Sequence, residues 1–374
     1  MALDGVRVLD AASMMAGPYG ATLLGDLGAD VVKLEPPAGD ETRRFGPRTD
    51  TESAVFVGIN RNKRSVVADL RSEEGRSVLG ALVDWADVLV ENLRPRAKLA
   101  LGLDWESLHS RNPRLISVGV SAYGADGPYA GRPGTDPVAQ ALSGLMSVTG
   151  FADPVKAGPP IGDAVSSLLV AVGALSALYA RERTGEGQRV DVALIDGLIH
   201  VQAPYTGEYF LLGNQHARTG NAIDWYAPYN AYRCADGRFV HLVGYNDKFF
   251  RNVCEAIGRP ELAGDERFVS NEARLAHRDE LDALIGAWIG TRDRDQVLAV
   301  LWEHDVIVGP VNEYADVFTD PQVVHNDMVV DVGGGLRVTG VPVRLSGTPG
   351  AVRRRPPALG EHTAEVLAEL GIPA

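Results

Sequence analysis

The sequence predicts an α/β fold: a Rossmann-like larger domain joined to a smaller α+β domain. Three observations carry that expectation. Val6–Glu35 reads strand, glycine turn, helix, strand, acid, the outline of a βαβ nucleotide-binding unit. Short runs of Val, Ile and Leu then recur between helical patterns as far as Leu194, as buried strands do. Beyond Gly213 the character changes to a hairpin followed by helices.

Taken in order, Val6–Asp10 is a first strand and Ala16–Gly20 a turn. Ala21–Leu27 is a helix ended by Gly28, and Asp30–Leu34 a second strand closing on Glu35 before Pro36-Pro37. The turn lacks GxGxxG, so the dinucleotide fingerprint is missing. Glu35 stands where a ribose-binding acid would be, or is a plain strand-end carboxylate. Asn60–Ser65 is the densest basic stretch in this half of the chain. On a loop beside strand ends, Arg61, Lys63 and Arg64 would suit phosphates; the alternative is a solvated surface loop. Val66–Leu70 is a strand, Gly75–Ala86 a helix, and Val88–Val90 a strand running into Glu91-Asn92. Asn112–Val120 contains another buried-type strand, followed by the glycine-rich Tyr123–Tyr129. Gly134-Thr135-Asp136 precedes a helix over Pro137–Met146, with Asp136 read as its cap.

Pro160-Ile161-Gly162-Asp163 then leads into the apolar run Ala164–Ala180. The run contains Ser166, Ser167, Gly173 and Ser176 and is closed by Arg181-Glu182-Arg183, which reads as a buried helix rather than a membrane span. Asp163 has two readings. As an N-cap its carboxylate accepts backbone N–H bonds; as a nucleophile it attacks an electrophile, kept ionised by the helix terminus. Arg189–Leu194 is a strand, and Asp196–Leu212 a helix interrupted at Pro204. Residues 213–226 read as a linker between a large domain, 1–212 completed by 325–374, and a small domain, 227–324. The small domain holds a hairpin (Ala231–Arg233, Arg238–Val243), helices at Asp247–Ile257, Arg278–Ile289 and Arg294–Glu303, and a strand around Val306–Val311. Val329–Val332 and Arg337–Arg344 are strands, and Glu361–Leu370 a last helix.

A chain of 374 residues with net charge −13 and pI about 5.1 argues against nucleic acid as the main partner. A small anionic ligand stays open, because local residues decide within a Debye length of roughly 8 Å. Two cysteines argue against a disulfide framework and fit a reducing compartment, the cytoplasm. No Cys/His set has zinc-ligand spacing, so no metal is expected. Met1–Asp10 has no apolar core of a secretory leader, and none is expected.

Several stretches together match one family. They are Leu3–Asp10, Ala16-Gly17-Pro18, Gly25–Glu35, Asn60–Ser65 with Asp69-Leu70, Val90-Glu91-Asn92, Ser121–Pro128, Gln140-Ala141 with Ser143-Gly144, Gly162-Asp163, Thr184–Gln188 and Leu359–Thr363. From end to end the chain resembles the family III CoA-transferases, to which formyl-CoA and carnitine CoA-transferases belong and alpha-methylacyl-CoA racemase is related. The resemblance implies an interlaced homodimer, coenzyme A in the cleft as part of an acyl-CoA substrate, a small carboxylic acid as co-substrate, and a catalytic Asp at Asp163. CoA contacts are expected at Arg61, Lys63 and Arg64, from the basic run beside Asn92 in an acidic chain, and at Asn92, Arg96, Lys98, Tyr123 and Gly124; substrate contacts are expected among Met15, Thr135, Asp136 and Gln140. Departures narrow it. Racemase relatives carry His where Thr135 stands, which disfavours racemisation. No glycine-rich flap is found in Ala227–Gly244, against an oxalate/formyl pair. Pro36 and Ala100 replace usual basic residues, with Arg96 or Lys98 as compensation. The alternatives are an acyl-CoA racemase or epimerase, a nicotinamide oxidoreductase, and a CoA-binding protein without catalysis.

Overall fold

A computed structural model gives the structure of the chain and describes residues 1–372. Its larger sheet consists of β1 (Arg7–Asp10), β2 (Asp30–Glu35), β3 (Lys63–Val67), β4 (Val88–Glu91), β5 (Ile116–Ser121) and β6 (Arg189–Ala193). All neighbours are parallel, in the order β3-β2-β1-β4-β5-β6. Such strands are covered on both faces, which is why they read as unbroken Val/Ile/Leu runs. Between them lie α1 (Ala16–Asp26), α2 (Ala54–Ile59), α3 (Glu73–Trp85), α4 (Pro95–Leu101), α5 (Trp105–Arg111), α6 (Asp136–Leu142), α7 (Leu145–Val148) and α8 (Ile161–Thr184), with α9 (Leu194–His200) after β6.

Two apolar cores sit on opposite faces of this sheet. One joins Val8, Val31, Val90 and Val118 to α1, α8 and α9 through Ala21, Leu24, Val170, Ala174 and Leu198. The other joins Leu9, Val32, Val66 and Leu89 to α3 and α5 through Leu79, Leu82 and Leu108. Helix α8 is long and apolar enough to cross a membrane by length and composition. Its Val170, Ala171, Ala174, Ala177 and Leu178 are nevertheless buried in the first core. Helices α1 and α8 approach closely because position 20 is glycine: a Cβ there would lie 2.5 Å from the Val170 side chain.

The chain continues through α10 (Ala203–Leu212), β7 (Tyr229–Arg233), β8 (Phe239–Val243), α11 (Asp247–Ala256), α12 (Asn271–Ala276), α13 (Arg278–Ile289), α14 (Arg294–Glu303), β9 (Ile307–Val311), α15 (Tyr314–Val317), α16 (Pro321–His325), β10 (Val329–Asp331), β11 (Arg337–Thr339) and α17 (Thr363–Glu369). The compact units are Met1–Leu145 with Lys156–Gly207 and 320–372, and Met146–Val155 with Glu208–Thr319. The second contains the antiparallel sheet β7-β8-β9 and its own core around Val240, Phe250, Phe268, Ile285 and Leu301. It takes in Met146–Val155, which the sequence reading had assigned to the larger domain, and the polar stretch 213–226.

The main departure lies at β3. The expected basic loop Asn60–Ser65 is instead the end of a turn and the start of a buried strand. Strand β3 therefore begins at Lys63 rather than Val66, because its charged side chains find partners inside the fold.

Candidate active site

The sheet order reverses between β1 and β4, and ligands of open parallel sheets collect outside the strand C-termini at such a point. A cavity of about 550 Å³ lies there, in the larger unit, lined by the segments following β1, β4 and β5 together with Asp163.

Asp163 is the third residue of α8, so it does not occupy the N-cap position, which is Pro160. The cap comes from elsewhere. Asp136 Oδ1 accepts the N–H groups of Gly162 at 2.6 Å and Asp163 at 3.3 Å. Asp136 itself is the first residue of α6 and makes no cap to its own helix, so both local capping readings are corrected. Glycine at 162 permits this approach, since a Cβ would stand 2.8 Å from Asp136 Oδ1. Gln140 Nε2 donates to Asp136 Oδ2 at 2.7 Å, and Gln140 Oε1 accepts Ala157 N–H at 2.9 Å.

The Asp163 carboxylate is left unclaimed: among the described residues no donor reaches it. Burial first, and the negative Asp136 second, push its carboxyl up to about 6. A half-buried carboxylate without partners, on the wall of a cavity, is a candidate nucleophile. The lining also includes the β1–α1 turn, through Met14, Met15 and Ala16. Helix α1 has no side-chain cap, so its first N–H groups are free to meet negative charge. Ser167 Oγ lies 2.9 Å from Ala16 O and 2.8 Å from Asp163 O, tying the start of α1 to the start of α8.

The remaining expected residues divide sharply. Met15, Asn92, Lys98, Gly124, Thr135 and Asp136 line the cavity; Tyr123, Arg96 and Gln140 do not. Asn92 is engaged with the backbone of Ser13, accepting from its N–H at 2.9 Å and donating to its carbonyl at 2.7 Å. Lys98 is ion-paired with the buried Glu91. Tyr123 donates its hydroxyl to Pro133 O at 3.2 Å.

Arg61, Lys63 and Arg64 are a correction. All three are buried and none lines the cavity. Arg61 grips Asp26 through Nε at 3.0 Å and Nη2 at 2.6 Å. Lys63 bonds Asp10, Pro18 O and Asn60. Arg64 pairs with Asp30 and with Glu365 and Glu369 of α17. A buried bidentate pair that loses one partner costs about 3–5 kcal/mol. Arg61→Ala is therefore expected to lower stability by that order in denaturant melts, with CoA affinity of the folded fraction unchanged by calorimetry.

Three cleft cations escaped the sequence reading: Arg94, Arg132 and Arg189. Arg189 pairs with Asp191 at 2.7 Å, and Arg132 stacks on Tyr129 at 4.2 Å. Among the described residues the Arg94 guanidinium has no partner. Its position just past the end of β4 was the available signal.

The fold and site define a doubly wound α/β protein with an unclaimed carboxylate in the cavity at its switch point. The family model for CoA-transferase family III matches residues 3–363. The chain is 38% identical to a succinyl-CoA–D-citramalate CoA-transferase of Chloroflexus aurantiacus, covering 98% of this chain and 94% of that one. It is 39% identical to a succinate–glutarate CoA-transferase of Agrobacterium fabrum, covering 98% and 95%. A CAIB/BAIF family protein from Brucella suis superposes with a TM-score of 0.91 at 39% identity, over 98% and 99% of the two chains. The chain belongs to CoA-transferase family III and is an acyl-CoA:carboxylate CoA-transferase.

Proposed function

We propose that the protein moves CoA from an acyl-CoA thioester to a carboxylic acid through covalent intermediates on Asp163. The observation that carries this reading is the unclaimed Asp163 carboxylate on the cavity wall. An Asp163 oxygen attacks the thioester carbonyl carbon. The C–S bond breaks, giving a mixed anhydride and CoA thiolate. The thiolate attacks the Asp163 carbonyl carbon, forming an aspartyl-CoA thioester and releasing the donor's acid. The acceptor carboxylate attacks that thioester, again giving an anhydride and thiolate. Attack of the thiolate on the acceptor's carbonyl yields the new acyl-CoA and restores Asp163. The first-turn N–H groups of α1 are suited to the oxyanions formed at each addition.

Relatives named for succinyl-CoA with citramalate, malate or mesaconate favour a dicarboxylic donor and acceptor here. A panel of acyl-CoA donors and labelled acids tests this. Transfer is expected with succinyl-CoA, and hydrolysis alone with every acid would sink the reading.

The active form in this reading is a homodimer in the cytoplasm. One face of α8 presents Leu168, Val172 and Tyr179 at 56%, 58% and 68% exposure, an i, i+4, i+11 stripe that a second copy would cover. Sedimentation is expected to find a dimer, and Val172→Glu to shift it toward monomer. A stable, active monomer in the wild type would remove the dimer.

A further inference from the structure

We infer that the buried groups Asp10, Lys33 and Lys63 position the cleft loop that lines the cavity with Asp163, with Lys33 as a positioning residue and Asp40 only balancing its charge. The inference rests on the CoA-transfer reading for its activity assay.

Lys33 and Lys63 are fully buried, an arrangement tolerated only when charge and hydrogen bonds are both matched. Lys63 Nζ lies 2.7 Å from Asp10, and Lys33 Nζ 2.9 Å from Asp40 and 3.6 Å from Asp10. The cations also hold backbone. Lys33 Nζ donates to Ala12 O at 3.0 Å, and Lys63 Nζ to Pro18 O at 2.7 Å. Asp10 Oδ1 accepts Ala12 N–H at 3.1 Å. Both ends of the segment 12–18 are thus bound to one ion cluster.

Between those ends the loop is held under strain. Met14 has φ 66°, a left-handed conformation uncommon outside glycine. Such a conformation persists only where the surroundings over-determine it. On its cleft side the loop is gripped at Ser13 by Asn92 and at Ala16 by Ser167. Because Ser167 also lies 2.8 Å from Asp163 O, a shift of the loop reaches the nucleophile's turn.

Misplacement of about 1 Å at a reacting centre lowers rates on the order of 10²-fold. Two variants separate positioning from stability. Asp40→Asn removes a charge that touches Lys33 but not the loop. It is expected to lower Tm while kcat and the amide exchange of residues 11–17 stay near wild type. Lys33→Met/Asp40→Asn removes one charge of each sign, leaving Asp10 and Lys63 balanced, and removes the bond to Ala12. It is expected to regain Tm over Asp40→Asn, to exchange faster at 11–17, and to lose kcat by roughly 10- to 100-fold with KM for acyl-CoA little changed. A double variant with wild-type kcat and exchange would overturn the inference. So would Asp40→Asn losing kcat and loop protection by itself, an outcome readable even if the double variant does not fold. Inactive wild-type protein with normal loop protection would instead count against the CoA-transfer reading.

Discussion

Asp163→Asn should fold, bind acyl-CoA and transfer no CoA. Asparagine cannot form the anhydride, so the loss in kcat is expected to be on the order of 10⁴-fold or more, as for other single nucleophile deletions. The variant should also be more stable than wild type at neutral pH. Burial and Asp136 raise the Asp163 carboxyl to about 6 in the folded chain, so folding favours its protonated form. A raised carboxyl binds its proton in the native state at pH values where the unfolded chain has released it. Wild-type stability therefore falls as pH rises from about 4 to about 6, then stays lower. Half-burial reduces the full linkage value, leaving about 1–2 kcal/mol regained by Asn at pH 7. Denaturant melts at pH 4 and pH 7 measure it: the two proteins should converge in acid and separate at neutrality. The wild-type pH–rate profile should rise through about 6 as the nucleophile ionises. Incubation with acyl-CoA alone should leave a hydroxylamine-sensitive adduct on the peptide holding Asp163. Full turnover by Asp163→Asn, with deamidation excluded by mass spectrometry, would remove the mechanism.

The parallel sheet was legible because its signals are local. Apolar runs of strand length, helical patterns and glycine stops lie within a few residues of one another, and α13 and α14 match their expected spans, Arg278–Ile289 and Arg294–Glu303. The cleft-lining Asp163, Asn92 and Asp136 were legible through the resemblance rather than the spacing. What failed was anything set by pairing across the fold. Arg61, Lys63 and Arg64 look like a phosphate-binding loop in one dimension. Their partners Asp26, Asp10 and Asp30 lie on earlier elements, and Glu365 and Glu369 near the far end of the chain. Lys98 lines the cleft with its charge taken up by the nearby Glu91. A charge run signals a ligand only when the fold leaves it unpaired, and sequence alone does not disclose which run that is.

That cross-fold pairing makes Asp136 the second residue on which activity is expected to turn. It closes the start of α8 from α6, through Gly162 N–H at 2.6 Å and Asp163 N–H at 3.3 Å. It also supplies the negative field that helps raise the Asp163 carboxyl. Two substitutions separate these roles. In Asp136→Asn an oxygen can still accept the two N–H groups, but the charge is gone. Stability should fall modestly, by about 1 kcal/mol, because the new amide nitrogen meets the Gln140 Nε2 donor, while the rising limb of the pH–rate profile moves to lower pH, because Asp163 then ionises more readily. In Asp136→Ala both N–H groups and Gln140 Nε2 lose their acceptor. The cap term alone is worth about 0.5–2 kcal/mol. The freed α8 start no longer fixes the direction of Asp163, and kcat is expected to fall on the order of 10²-fold while KM for acyl-CoA changes less. A pH–rate limb that stays near 6 in Asp136→Asn would show that the carboxylate field does not reach Asp163. Wild-type kcat in a folded Asp136→Ala would mean that the cap across the fold holds the helix without aiming the nucleophile.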